Sequence, residues 1–414
     1  MSKISRRTFA ASAAFGMRPV TAAFSTAAAG RAWGATAAGA GAVIKKFEVF
    51  PTAVEYRSTF RLGRGVVGSK AAPGKHVFLR LESADGHVGW GATNTVPNWS
   101  YETAESVVGT LQHYLCPLAV GRTPFELNKI KKLMDDNITN AVSNGAPFAK
   151  SALEIALLDL AGQITGQPLH QMLGGRVHDT VELAYALSID APEVMAADAR
   201  KFAACKCFKV KVAGDADMDM KRLHAISEAR PDALLWLDAN QSYTPIGLDR
   251  FLQALKGFPK MQCIEQPVRS EDWFGLKRAR EKSAYPIAID EGAFSSFDVA
   301  RATRLDAADL VVLKVPKSGG VTNCLKSAIV AEANGLGLLG SGLTDAGVSF
   351  MAAIHLYSTL DLLLPAELNG PEFLADMMVD GIEIQGVTVK VPDRPGLGVR
   401  VSEEKLRANR IRLG

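Results

Sequence analysis

The chain has 414 residues, 48% hydrophobic and 22% charged, with 47 Lys plus Arg against 43 Asp plus Glu. This supplies a large core and excludes a wholly disordered or collagen-like chain. A formal balance of +4, with no long basic run, excludes nucleic-acid recognition by charge alone.

Residues 1–40 are rich in Ala, Ser, Thr and Gly and contain no acidic residue. Ser5-Arg6-Arg7-Thr8-Phe9 is a twin-arginine pattern, followed by the weakly apolar stretch Ala10 to Ala29 and the small residues Ala35-Thr36-Ala37. The segment resembles a Tat export signal, so a periplasmic location is expected, with residues 1–40 outside the fold. Arg18 interrupts the apolar stretch, and no later run approaches the ~20 apolar residues that a membrane span needs, so no membrane association is expected. Five scattered cysteines (Cys116, Cys205, Cys207, Cys263 and Cys324) form neither a disulfide framework nor a paired CxxC zinc pattern.

Val43 to Phe50 reads as a strand. A long polar loop is expected over Arg57 to Lys75, rich in Gly and basic residues. Asp85-Gly86, between Val77–Leu81 and Val88–Trp90, is a hairpin-turn signal. Helices are expected over Thr103 to Leu115 and Pro124 to Asp136, and an amphipathic helix over Phe148 to Thr165 with Leu153, Ala156, Leu157 and Leu160 on one face.

The pattern then changes to short apolar strands alternating with helical stretches. The strands are expected at Val181–Ile189, Cys207–Val212, Leu234–Asn240, Gln262–Gln266, Ile287–Glu291, Leu310–Val315, Leu336–Gly342 and Leu362–Leu368. Apolar strands separated by helices imply parallel βα units covered on both faces, and about eight of them a TIM-type barrel. The predicted architecture is an α/β fold: a signal segment at 1–40, an α+β capping domain at 41–175, a barrel at 176–369, and a tail at 370–414 returning to the cap.

Chemistry in such a barrel sits at the C-terminal ends of the strands. Those ends carry Lys209 and Lys211, then Asp238, Glu265, Asp290 and Lys314, with steps of 29, 27, 25 and 24 residues from Lys209 onward. Each step is one strand-plus-helix unit, so these charges share one mouth. A lone Asp or Lys at a strand end is more often a structural ion pair; a series at the unit period needs another explanation, because buried charge is costly without partners. Three carboxylates from adjacent strands suit a hard divalent cation, Mg²⁺ before Mn²⁺ or Ca²⁺. Period-two alternation points Lys209 and Lys211 to one face. Lys211 and Lys314 can then flank one substrate carbon, one removing a proton α to a carboxylate and the other returning it. Neighbouring positive charge and partial burial are expected to lower the lysine pKa toward that task.

With these residues in place the chain resembles the enolase superfamily, and within it the muconate lactonizing enzyme (muconate cycloisomerase) group. The resemblance spans nearly all of 42–414. It rests on Phe148-Ala149-Lys150-Ser151-Ala152-Leu153-Glu154, Leu173-Gly174-Gly175, Lys209-x-Lys211, Asp238-Ala239-Asn240, Glu265-Gln266-Pro267, Asp290-Glu291, Lys314-Val315-Pro316-Lys317-Ser318-Gly319-Gly320 and Pro395-Gly396-Leu397-Gly398. It implies an acid/base pair of Lys211 and Lys314, Lys209 as auxiliary cation, and Asp238, Glu265 and Asp290 as ligands of Mg²⁺, with Mn²⁺ as a substitute. Asn240, Glu291 and Asp345 are expected to bind substrate or support the site. Asp345 stands where the cycloisomerase pattern has Glu, and Ala92 ends the capping hairpin where the superfamily often has an acid. The implied partner is a small carboxylate substrate, and the implied assembly a homo-oligomer.

The expected reaction is a cycloisomerisation through an enediolate. The alternatives are a racemase or epimerase of amino-acid derivatives or dipeptides, and a non-catalytic periplasmic binding protein that has kept the barrel. Dipeptide epimerases tend to carry Asp-x-Asp at the eighth strand; Leu362 to Glu367 has none. Gly63 to Gly68 matches GxGxxG, but no clear strand precedes it and Pro73 follows in place of a helix, which argues against a dinucleotide site. His355 sits in an apolar helical run and reads as a core histidine.

Overall fold

The computed structural model describes residues 41–141 and 143–413, so the predicted export segment at 1–40 lies outside the described residues. Five strands come first: β1 (Ile44–Val54), β2 (Phe60–Leu62), β3 (Gly65–Gly68), β4 (Gly74–Ser83) and β5 (Val88–Thr95). β1, β4 and β5 form an antiparallel sheet in the order β1-β4-β5, with Asp85-Gly86 in the β4–β5 turn. The stretch predicted as a loop at Arg57–Lys75 contains the β2–β3 hairpin. Its apolar residues are few, but Phe60 and Leu62 are buried beneath it.

The helix predicted from Thr103 starts with a capping box between Thr103 and Ser106 and becomes a π-helical turn at Leu111–Leu115. Pro117 follows and has no N–H to offer the preceding turn. The helix Pro147–Thr165 is not amphipathic: its residues from Pro147 to Gly162 are buried all round. It lies between the β4–β5 side of the cap and the barrel helices, so its polar residues must be satisfied inside. Lys150 reaches Asp135 and the Ile138 carbonyl, at 2.7 and 2.8 Å. Glu154 takes Lys131 at 3.0 Å and the Thr322 hydroxyl. Asp159 accepts the N–H groups of Trp90 and Leu397, each at 2.8 Å.

Two glycines in the quoted motifs are dictated by these buried acids. At Gly320 (φ +126°) a Cβ would lie 1.8 Å from Glu154 Oε2, and at Gly396 (φ +61°) 2.0 Å from Asp159 Oδ1. The first seats the turn after Lys314 on the cap helix, and the second docks the tail there. The tail also reaches β1 and the chain just after it, by bridges Thr52–Arg410 and Tyr56–Leu374.

The predicted strand Val181–Ile189 is two strands. β6 (Thr180–Glu182) pairs antiparallel with tail residues Thr388–Lys390, and β7 (Tyr185–Leu187) enters the barrel. The barrel continues through β8 (Cys207–Lys211), β9 (Leu234–Asp238), β10 (Met261–Glu265), β11 (Ile287–Ile289), β12 (Leu310–Leu313) and β13 (Gly337–Gly340), parallel and in sequence order. The eighth predicted strand, Leu362–Leu368, forms no ladder. Pro365 lacks the N–H a ladder needs, and closure rests on two parallel bridges, Leu183–Ala366 and Ser341–Glu367. Inward residues Cys207, Trp236, Cys263, Ala288, Val312 and Leu339 form one apolar cluster inside the barrel. Among the described residues no helix is long and apolar enough to cross a membrane.

Candidate active site

Period-two alternation places the next inward side chain two residues beyond each member of that apolar cluster. From Cys207 it gives Lys209 and then Lys211; from Trp236, Asp238; from Cys263, Glu265; from Ala288, Asp290; from Val312, Lys314. Lys211, the most exposed of these six, is 4% accessible. β8 and β12 stand four places apart in a ring of eight positions, so Lys211 and Lys314 enter from opposite walls. Both line one small chamber of about 20 Å³, walled by Gly342, Leu343, Thr344, Glu367 and Asn369 and roofed from the cap by Phe60, Leu62, Val67, Val96 and Trp99.

Ion pairs bind the cluster. Lys211 Nζ is 2.6 Å from Asp238 Oδ2, and Lys314 Nζ 2.6 Å from Asp290 Oδ2. Lys209 Nζ lies 3.1 Å from Asp238, 3.0 Å from Glu265 and 3.3 Å from Glu367, and 4.5 Å from the centre of the Trp236 ring. Lys317 donates to the carbonyl and the Oδ1 of Asp290, each at 2.7 Å. Burial alone would raise the Asp238 and Asp290 carboxyls, but the lysines, led by Lys211 for Asp238 and Lys314 for Asp290, hold both well below the usual range. Glu265 is pushed well above its usual value, first by burial and then by the Asp238 charge. Glu291 rises to about 7, by burial and then by Asp290. For Lys314, burial is the largest influence and opposes the charge, yet Asp290, Glu265 and Glu291 together outweigh it and the net shift is upward. The expected lowering is therefore not found at Lys314, because a carboxylate, not another cation, is its nearest charge.

Among the described residues no three His, Cys, Asp or Glu side chains already form a ligating cluster; Asp238 and Asp290 turn to lysines instead. The donor set nevertheless fits a hard divalent cation. Asp238, Glu265 and Asp290 offer only oxygen from adjacent strands. Glu265 Oε2 makes no hydrogen bond although Lys209 lies 3.0 Å from it, and burial followed by the neighbouring aspartates raises Glu265 and Glu291 against the nearby lysines.

The other expected residues divide. The Asn240 N–H donates to Asp238 Oδ1 at 2.9 Å, and its side-chain amide to Glu291 Oε1 at 3.1 Å, bracing the acids. Glu291 faces an outer groove that it shares with Arg64, Gln241 and Trp99. Leu343 and Thr344 line the inner chamber, while Asp345 turns back to accept the Leu343 N–H at 2.9 Å. His355 is a neutral core residue: burial lowers it to about 4, and it stacks on His170 at 5.5 Å.

Sequence reading assigned no role to Glu367, Lys317, Trp99 or Phe60. Glu367 pairs with Lys209 and accepts the Ser341 hydroxyl at 2.6 Å. It was findable, since it stands 53 residues after Lys314, two barrel units on. Trp99 lies 4.2 Å from Lys314 Nζ and Phe60 5.8 Å from Lys211 Nζ, measured to the ring centres. No spacing signal links either ring to its lysine.

Residues 48–174 match the family described as mandelate racemase / muconate lactonizing enzyme, N-terminal domain, and residues 194–405 the one described as enolase C-terminal domain-like. The chain is 31% identical over 336 residues to an N-succinyl-L-Arg/Lys racemase of Bacillus cereus, covering 80% of this chain and 89% of that protein. A muconate lactonizing enzyme from Pseudomonas fluorescens, solved with muconolactone, superposes with a TM-score of 0.84 at 29% identity, over 90% of this chain and 100% of that one. A dipeptide epimerase from Enterococcus faecalis, solved with Mg and the dipeptide L-Leu-L-Tyr, gives 0.80 at 28% identity, over 86% and 99%. With the capped barrel and the charged ring at its mouth, these matches identify the chain as an isomerase of the enolase superfamily, belonging to the mandelate racemase / muconate lactonizing enzyme family.

Proposed function

We propose that the protein abstracts the proton α to a carboxylate with Mg²⁺ bound (Mn²⁺ substituting), and that its reaction is a muconate-cycloisomerase-like cycloisomerisation of an unsaturated or α-acidic carboxylate. The observation that carries this reading is the entry of Lys211 and Lys314 into one chamber from opposite walls. A cation held by Asp238, Glu265 and Asp290 would supply positive charge against the substrate carboxylate. Lys209, surrounded by Glu265, Glu367 and Asp238, stays charged despite burial and adds a fixed positive centre. In the lactone-forming direction the substrate's distal carboxylate oxygen adds to the conjugated double bond, and the displaced π-electrons move into the other carboxylate as an enediolate. One of the facing lysines, as ammonium, then protonates the α-carbon. In the reverse direction the same lysine, as the amine, takes that proton and the C–O bond breaks. In a racemisation the second lysine, on the opposite face, delivers the proton instead. The apolar roof of Phe60, Leu62, Val67 and Val96 keeps water from the carbanion.

Cycloisomerisation is placed first because the closing segment offers no free acid for a substrate ammonium: Glu367 is committed to Lys209 and Ser341. A racemase of amino-acid derivatives is the second reading, favoured by the paired lysines; an acylated amine needs no acid. A panel of cis,cis-muconates and N-acyl amino acids with Mg²⁺ in D₂O separates them. Lactone formation supports the first reading; α-deuteration with loss of optical activity supports the second. Each activity should fall by 10²-fold or more in Lys211→Ala and Lys314→Ala, and full activity in both variants would refute the two-lysine reaction. We further infer Tat export, from Arg6-Arg7, and a homo-oligomeric assembly; fractionation of expressing cells and light scattering test these two inferences.

A further inference from the structure

We propose that Phe60 and Trp99 are positioning residues, one for each lysine, by which the cap holds the two amines in line and shields them from water. Each lysine of the pair has an aromatic face turned to it, and both faces come from the cap. Trp99, in the loop after β5, lies 4.2 Å from Lys314 Nζ; Phe60, on β2, lies 5.8 Å from Lys211 Nζ. Both rings are buried and line the inner chamber. Each is braced by an aromatic from beyond the cap strands: Trp99 stacks on Phe294, just past β11, at 5.8 Å, and Phe60 packs on Phe373 at 4.4 Å. The Trp99 loop is pinned at both sides. The Trp99 N–H donates to the Val96 carbonyl at 2.8 Å, and Glu102 accepts the Phe148 N–H at 2.7 Å.

The Trp99 indole N–H is buried without a protein partner, a cost that a purely packing residue such as Phe would avoid. What the indole provides in return is a larger face that attracts a cation more strongly than that of Phe. An aromatic face attracts an ammonium yet cannot take its proton, unlike the carboxylates on the barrel side. Lys314 and Lys211 are thus each held between an acid from the barrel and a ring from the cap. The shorter approach makes the Trp99 hold the stronger one, so the two lysines are unequal.

This inference rests on the two-lysine reading, but its test needs no substrate. The full chain in Mg²⁺ buffer is treated with cyanate, and carbamylation of each lysine is followed by peptide mass spectrometry. Trp99→Met should raise the rate at Lys314 about three- to tenfold and leave Lys211 within about twofold. Trp99→Phe, which keeps a ring, should restore slow labelling at Lys314. Phe60→Leu should act on Lys211 alone, and more weakly. Thermal melting identifies any unfolded variant; Trp99→Leu, which also removes the ring, takes the place of Trp99→Met if that variant does not fold. Unchanged Lys314 labelling in the folded ring-free Trp99 variant, or equal rises at both lysines in that variant and in Phe60→Leu, overturns the proposal. Failure of the reaction reading is seen separately, as turnover retained when the lysines themselves are removed.

Discussion

Lys317 and Asp290 form the most completely bonded pair at the barrel mouth: one ammonium donates to both the backbone carbonyl and the carboxylate of one residue, each at 2.7 Å. Lys317 is 1% exposed. It fixes the direction of Asp290, whose other oxygen faces Lys314. Removing a partner that orients a ligand typically lowers metal affinity or activity 10–100-fold. Lys317→Met should therefore raise the Mg²⁺ concentration needed for half-maximal turnover by about tenfold or more. A magnesium titration of the variant that superimposes on the parent would disprove the positioning role.

Asp238, Glu265 and Asp290 should act as a set. Chelation with EDTA is expected to abolish turnover, and Mg²⁺ to restore it with Mn²⁺ as substitute. Asp290→Asn removes the carboxylate charge that pairs with Lys314 and Lys317, so it should both weaken cation binding and slow the reaction by roughly 10²-fold or more. Turnover that survives exhaustive chelation would exclude the divalent cation.

Glu102 should make stability fall as pH rises. Burial lifts its carboxyl from 4.5 to about 7, against the N–H groups of Phe148 and Ala149 that favour its charge. Between those values the folded chain keeps a proton that the unfolded chain has released, so the folded state loses ground from pH 4.5 to 7 and no further above it. The size is at most about 3.5 kcal/mol at about 1.4 kcal/mol per unit. Glu102→Gln should remove this slope, so its unfolding free energy gains on the parent's across that window. Parallel curves for the two proteins would contradict the assignment.

Gly396→Ala should loosen the tail. Its Cβ would enter the contact between Gly396 and Asp159, at a backbone angle that costs an L-residue about 1–2 kcal/mol. Displacing Asp159 would also strand the N–H groups of Trp90 and Leu397. A loss of roughly 2–5 kcal/mol in denaturant unfolding is expected, with early proteolysis of the tail. A variant as stable as the parent would show that the tail docks by other contacts.

The ring of charge was legible in one dimension because two periods act together. Side chains alternate every two residues along a strand, and strand-plus-helix units recur every 24–29 residues from Lys209 to Lys314. Those intervals place Lys209, Lys211, Asp238, Glu265, Asp290 and Lys314 at one mouth, and set Lys211 opposite Lys314. Glu367 obeys the same count, but Pro365 breaks the strand pattern that would have drawn attention to it.

Which charge pairs with which was decided only by folding. Lys317 belongs to a short helix after the strand, and no strand period reports its turn toward Asp290. Phe60 and Trp99 come from the cap, more than 100 residues before the lysines they cover. Their contacts exist because the cap is seated on the barrel through a helix buried on all sides, and burial of that kind leaves no amphipathic stripe to read. Local periodicity sets the direction in which each side chain leaves its own element. The distance between elements remote in the chain is set by how their surfaces pack, and the proton chemistry depends on that distance.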